Sequence, residues 1–228
     1  MTRWGMVIDL DRCTACQACV VACQVENNAP PTGAEEAALG RSISWLRLGS
    51  IHKEEHGHRP GLNLVPLPCM HCENPPCVRV CPANATTIDE EGMVAQVPSR
   101  CIGCRYCTTA CPYTVRQSNW KDSVWPEPMD QGRNPDVSLR PRGVVEKCSF
   151  CSHRLQKARD LARFEGRALE DGEYLPACVE TCPAGAMVFG DLDDPHSEVA
   201  RQADSPRAFR LMEELGTRPK VTYLSKGE

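Results

Sequence analysis

Apolar residues in this chain come in short runs, and most of the runs stop just ahead of a cysteine. GMVIDLDRC leads with a β-type run into Cys13, and GMVAQVPSRC does the same into Cys101. LNLVPLPC leads into Cys69, with Pro66 limiting it to an edge strand because proline cannot donate to a ladder. Two further runs start on the far side of a cysteine. CPANATTID follows Cys81 and CPAGAMVFGD follows Cys182, both reading C-P-A-x-A before β-branched or apolar residues. The pattern predicts strand, cysteine run, short helix, Cys-Pro and return strand, repeated along the chain.

Between the cysteine runs, ISWLRLGS is strand-like and WKDSVWPEPMDQGRNPDV reads as a surface loop. SHRLQKARDLARFEG predicts a helix with Leu155, Ala158, Leu161, Ala162 and Phe164 as its apolar stripe and Gly166 as its stop. A second helix is expected to start at Ser205-Pro206, with Ser205 as N-cap, and KVTYL reads as a closing strand. No window approaches eighteen consecutive apolar residues, so no membrane span is expected. The N-terminus shows no basic region followed by an apolar stretch, so no secretory signal is expected.

Composition narrows the picture. Of 228 residues 16 are cysteine, while aromatics supply only 5%. A core so poor in large side chains calls for disulfides or metal. The cysteines form four quartets: Cys13, Cys16, Cys19, Cys23; Cys69, Cys72, Cys77, Cys81; Cys101, Cys104, Cys107, Cys111; and Cys148, Cys151, Cys178, Cys182. The first and third read C-x2-C-x2-C-x3-C, the bacterial run that builds [4Fe–4S] clusters, in which the fourth cysteine ligates the neighbouring cluster. The second carries two extra residues in its middle, and the fourth is split by a loop. Disulfides do not favour so regular a repeat. Zinc takes two C-x2-C pairs from separate loops, which the fourth quartet alone would suit, but its CPAGA tail matches the second quartet. Four quartets supply ligands for four cubanes.

Net charge is −4, and four such clusters would carry the holoprotein to about −12. That excludes nucleic acid as a natural partner, since phosphate binding needs basic surface. No phosphate-cradling glycine loop, nucleophile–base pair or carboxylate dyad is present.

The segments GMVIDLDRCTACQACVVAC, PCMHCENPPCVRVCPANA, RCIGCRYCTTACPY, GVVEKCSFCSHR and PACVETCPAGAMVFGDL resemble the four-cluster iron–sulfur subunit of complex iron–sulfur molybdoenzymes. That family includes polysulfide, tetrathionate and dimethyl sulfoxide reductases and sulfite and arsenite oxidoreductases. NPDVSLRPRGVVEKC also resembles the iron–sulfur domain of alternative quinol-oxidising complexes. The resemblance runs to about residue 195. Some relatives replace one cysteine of the third quartet and hold a [3Fe–4S] cluster there; with Cys104 in place, four [4Fe–4S] clusters are implied here. The family's ligand crossing implies four sets. Cluster 1 would take Cys13, Cys16, Cys19 and Cys182, and cluster 2 would take Cys148, Cys151, Cys178 and Cys23. Cluster 3 would take Cys69, Cys72, Cys77 and Cys111, and cluster 4 would take Cys101, Cys104, Cys107 and Cys81.

The implied fold is α+β: two interleaved bacterial-ferredoxin-type units with loop insertions. Residues 1–50 plus 143–195 would form the outer unit and 60–120 the inserted one. Residues 121–142 would be a connecting loop and 196–228 a C-terminal extension. The implied function is electron transfer in a membrane-associated oxidoreductase, between a molybdopterin-type catalytic subunit and a multi-span quinone-reactive membrane subunit. The chain itself would be non-catalytic. It would sit peripherally on the membrane, on the cytoplasmic face, or on the periplasmic face by co-export with a twin-arginine partner. The alternative is a free-standing soluble polyferredoxin.

Arg12, Arg79, Arg105 and Lys147 flank cysteines and are candidates for raising cluster potentials. His71, between Cys69 and Cys72, is read as packing near a cluster, since each quartet is already full. His52, His56 and His58 match no metal spacing and read as a solvated loop. Trp4, Trp45, Trp120 and Trp125 read as packing or interface anchors.

Overall fold

WGMVID forms β1 (Trp4–Asp9), and all six of its residues are buried. A strand covered on both faces reads as a continuous apolar run, which this one nearly is. The structure, a computed structural model, describes residues 2–52 and 62–225. His56 and His58 lie outside the described residues.

The chain continues through α1 (Ala18–Glu26), α2 (Ala34–Ala38) and the hairpin of β2 (Arg47–His52) and β3 (Leu62–Leu67). Next come α3 (Pro76–Arg79), the hairpin of β4 (Thr86–Ile88) and β5 (Val94–Gln96), and α4 (Tyr106–Ala110). Short strands β6 (Gln117–Ser118) and β7 (Val145–Glu146) pair across the long loop. The last part holds α5 (Ser152–Phe164), α6 (Ala177–Glu180), β8 (Met187–Asp191), α7 (Glu198–Ala203), β9 (Ala208–Phe209) and β10 (Val221–Leu224). Mixed helices and short strands make this an α+β protein.

One four-stranded sheet has the order β8-β1-β10-β9. β1 runs antiparallel to β8, with Met6 opposite Phe189, and parallel to β10, with Met6 opposite Val221. The C-terminal segment is therefore not a tail appended after residue 195. Its strand β10 lies inside the sheet, with all four residues buried. Parallel pairing between the two ends of the chain leaves no local signature, which is why KVTYL alone did not reveal it.

The helix expected from Ser205 is absent. α7 starts earlier, capped by Ser197, whose Oγ accepts from the Ala200 N–H at 3.1 Å. Ser205 instead closes a turn: its carbonyl accepts from the Ala208 N–H at 2.9 Å. Arg207 then pairs with Asp9 at 2.8 Å and with Asp11, drawing the chain to the sheet edge. α5 does form over the expected residues and stops at Gly166, which sits at φ 71°, a conformation glycine adopts without strain. Its apolar stripe is narrower than expected. Leu155 and Ala162 are buried, whereas Leu161 and Phe164 face outward.

Four of the twelve aromatics meet in one place. Trp4 stacks on Phe189 at 5.6 Å, and Phe150 meets the edge of Phe189 at 5.1 Å. Tyr174 packs edge-on against both Trp4 and Phe189. This knot lies between the sheet and the cysteine-bearing loops and supplies much of the large-side-chain core.

Candidate functional site

The four cysteine runs share a backbone device. In each, the residue before the second cysteine takes a left-handed conformation: Ala15 at φ 54°, His71 at 41°, Gly103 at 71° and Phe150 at 53°. Three of the runs then start a helix from a second left-handed residue, Gln17, Arg105 or Cys151. After each Cys-Pro the chain turns again. The N–H groups of Asn84, Thr114 and Gly185 donate to the carbonyls of Cys81, Cys111 and Cys182 at 3.3, 3.2 and 3.1 Å. After two of these turns the next residue donates to sulfur: Ala85 to Cys81 Sγ at 3.2 Å and Ala186 to Cys182 Sγ at 3.3 Å. Non-glycine residues in this region carry strain of order 1 kcal/mol each and persist where surrounding structure fixes them.

The folded chain gathers cysteines from distant quartets. Burial and the thiolates of Cys13, Cys182 and Cys16 push Cys19 up to about 11. Burial, then Cys148, Cys178 and Cys151, push the Cys23 thiol well above its ordinary value. Burial, then Cys69, Cys77 and Cys111, lift Cys72 to about 12, although a hydrogen bond from Thr217 opposes the shift. Cys69, Cys72, Cys77 and Cys111 also line one small, mainly apolar cavity. Of the remaining four, Cys101 and Cys107 pack in one buried group with Cys77 and Val94. Cys81 follows α3, which packs against α4, the helix carrying Cys107. Cys16 and Cys104 are exposed, whereas Cys23, Cys148, Cys151 and Cys178 are all buried.

The gatherings adjoin one another in a fixed order. Cys19 is among the thiolates that raise Cys178, and Cys69 is the first thiolate raising Cys148, after burial. Mutually repelling buried thiols of this kind need a cation to ionise together, and an iron–sulfur core supplies that charge. Among the described residues, no three His, Cys, Asp or Glu side chains are arranged to hold a single metal ion.

Several polar groups lie against the thiols. Asn27 Nδ2 donates to Cys23 Sγ at 3.7 Å and to Cys151 Sγ at 3.8 Å. The Phe150 N–H donates to Cys148 Sγ at 3.4 Å. His71 is fully buried, stacked on Phe150 at 3.9 Å. Its Nδ1 accepts from the Val94 N–H at 3.2 Å, so Nε2 carries the proton and donates to the Cys148 carbonyl at 3.1 Å. Burial, with Lys147 and Lys220 nearby, holds its pKa well below the imidazole range. His71 thus ties the second quartet to the fourth by packing and hydrogen bonding.

Of the four cations flagged in sequence, Lys147 alone is buried, its Nζ donating to the Cys148 carbonyl at 2.7 Å. Arg79 is engaged with Asn74, and Arg105 lies over the exposed Trp120 ring at 4.2 Å. Arg12 reaches toward Gly185. Trp4 and Trp45 are buried packing residues, while Trp125 carries Arg133 over its ring at 5.6 Å. Arg116 and Asn27 were not legible in the sequence. Arg116 is 4% exposed, and burial opposes its charge, but the thiolates of Cys77, Cys107 and Cys69 more than offset that. The one local hint is that each follows the last cysteine of a run by four or five residues.

These thiol gatherings, with their repeated turns, define a multi-cluster iron–sulfur protein. The 4Fe-4S dicluster domain matches residues 61–127 and, in a second form, residues 100–187, and a 4Fe-4S binding domain matches residues 4–25. The menaquinone reductase iron-sulfur cluster-binding subunit of Nitratidesulfovibrio vulgaris is 52% identical, covering 99% of this chain and 90% of its own length. A tetrathionate reductase subunit from Salmonella typhimurium is 36% identical, over 97% of this chain and 72% of that protein. A polysulfide reductase component from Wolinella succinogenes is 33% identical, over 96% and 92%. The protein belongs to the family of iron–sulfur electron-transfer subunits of menaquinone, dimethyl sulfoxide, tetrathionate and polysulfide reductases. It binds multiple [4Fe–4S] clusters. No helix among the described residues is long and apolar enough to cross a membrane.

Proposed function

We propose that the protein relays electrons through four [4Fe–4S] clusters between a molybdopterin-type catalytic subunit and a quinone-reactive membrane subunit. When bound, each cluster accepts and releases one electron. The chain holds them with the four cysteine sets: Cys13, Cys16, Cys19, Cys182; Cys148, Cys151, Cys178, Cys23; Cys69, Cys72, Cys77, Cys111; and Cys101, Cys104, Cys107, Cys81. Two ferredoxin-type units, 1–50 with 143–195 and 60–120, would each carry one pair of sets.

The observation that carries this reading is the adjacency of the gatherings. Cys19 lies by Cys178, Cys148 by Cys69, and Arg116 faces both Cys77 and Cys107. That supports the order first, second, third, fourth set, with the thiols of the two inner sets buried except the half-buried Cys111. Cys16 and Cys104 are exposed, one in each terminal set. A relay needs exposed ends for its donor and acceptor and a dry middle. Ile102 and Tyr106 flank Cys104 and are themselves exposed, as an interface around that end would require. The quinone partner is supported by the menaquinone reductase named among the relatives. The molybdopterin partner follows from the family resemblance.

Purified holoprotein should contain about sixteen iron with matching acid-labile sulfide. Purification from solubilised membranes should bring down a large catalytic subunit and a multi-span partner, placing the protein peripherally on the membrane. Recovery only as a soluble monomer would overturn the complex and leave a free polyferredoxin.

A further inference from the structure

We propose that Arg116 is a shared electrostatic positioning residue that favours the reduced state of both the third and the fourth cluster. This rests on the four-cluster reading above. Arg116 lines the same cavity as Cys69, Cys72, Cys77 and Cys111. It is 4% exposed, yet its Nε and Nη1 hydrogens have no hydrogen-bond partner. Only Nη2 is held, by Thr86 Oγ1 at 2.8 Å and by Gln96 Oε1. Those two acceptors fix the guanidinium from the β4–β5 hairpin, which leaves the other donors free to face sulfur.

A buried guanidinium with unpaired N–H groups is costly unless anions face it. The anions available here are thiolates of two different sets. Cys77 and Cys69 belong to one and Cys107 to the other, and all three bear on Arg116. The Val94–Val145–Cys77–Cys107 group packs around the same place and excludes water. Each cluster gains negative charge on reduction, so a fixed cation between two of them raises both potentials. The guanidinium stays protonated throughout, so the effect is one of fixed charge and no proton moves.

Two variants test this. Arg116→Gln removes the charge. Gln96→Glu leaves Arg116 in place and sets a carboxylate against it. Gln96 Nε2 has no hydrogen-bond partner to lose, so this second variant spares the packing. EPR-monitored redox titration of each purified holoprotein is the readout. Both variants should lower the potentials of the same two clusters, by roughly tenfold in each reduction equilibrium, about 59 mV for a one-electron couple. The other two potentials should stay at parent values, and Arg116→Lys, which keeps the charge, should leave the two potentials close to those of the parent. If Arg116→Gln fails to retain clusters, Gln96→Glu decides alone. Unchanged potentials, a shift confined to one cluster, or an equal shift in all four would overturn the proposal. Iron and sulfide analysis comes first: fewer than four clusters in the parent protein sinks the four-cluster reading itself, whereas four clusters with unmoved potentials sinks only the role of Arg116.

Discussion

The indole N–H of Trp45 donates to Glu146 Oε2 at 2.8 Å, across 101 positions of sequence. The same oxygen pairs with Arg140 at 2.8 Å, both side chains being almost wholly buried. Arg140 also lies over the Trp45 ring at 4.9 Å and donates to the Asn28 carbonyl at 2.8 Å. The segment leading to Cys148 is thereby fastened to the loop after α1. Glu146→Gln would strand the buried guanidinium. It should cost about 3 kcal/mol, seen as a lower denaturant midpoint for loss of cluster absorbance. A midpoint within error of the parent would refute the buried pair.

Glu26 joins α1 to α5. It accepts from Arg154 Nε at 2.7 Å and Nη2 at 2.8 Å, and bonds His153 Nε2 at 2.6 Å. The Arg154 hydrogen bond, against burial and with help from His153, holds its carboxyl at about 2. A depressed folded-state pKa contributes stability fully above the unfolded value and loses it as pH falls through the folded one. The stability gap between the parent and Glu26→Gln should therefore be constant above about pH 4.5 and shrink below it. Thermal midpoints measured at stepped pH check this, and a gap unaffected by acid would contradict it.

Gly103 tests the turn before the second cysteine. It sits at φ 71°, and a Cβ there would lie 2.7 Å from the Gly143 carbonyl oxygen. Gly103→Ala should lose about 2 kcal/mol from strain and clash together. Gly40, at φ 67° with nothing within 4 Å, is the control and should lose about 1 kcal/mol. Equal melting shifts for the two would remove the close approach as a cause.

Cys104 is the exposed member of its set. Cys104→Ala should convert or destroy one cluster while three persist, read by EPR and iron content. A spectrum identical to that of the parent would remove Cys104 from the ligands.

Iron removal should unfold much of the chain. α3 and α6 have four residues and α4 has five, too few to persist alone. Chelation under reducing conditions should abolish both the far-UV helical signal and the near-UV signal of the Trp4–Phe189 knot. Retention of both after complete iron loss would show that the protein core suffices.

The spacing of the cysteines, the strands before Cys13 and Cys101, the helix after Cys151 and the family itself were all written in the sequence. These features depend on residues within a turn or two of one another, where backbone geometry leaves few choices. Tertiary structure decided the rest. It threaded β10 beside β1, tied His71 to the Cys148 carbonyl, and drew the chain after Ser205 into a turn instead of a helix. It also buried Arg116 against the thiolates of Cys77, Cys107 and Cys69, which come from two cysteine runs. Such partners are chosen by how the whole chain closes over its core, and the local pattern of apolar and polar residues carries no record of that closure.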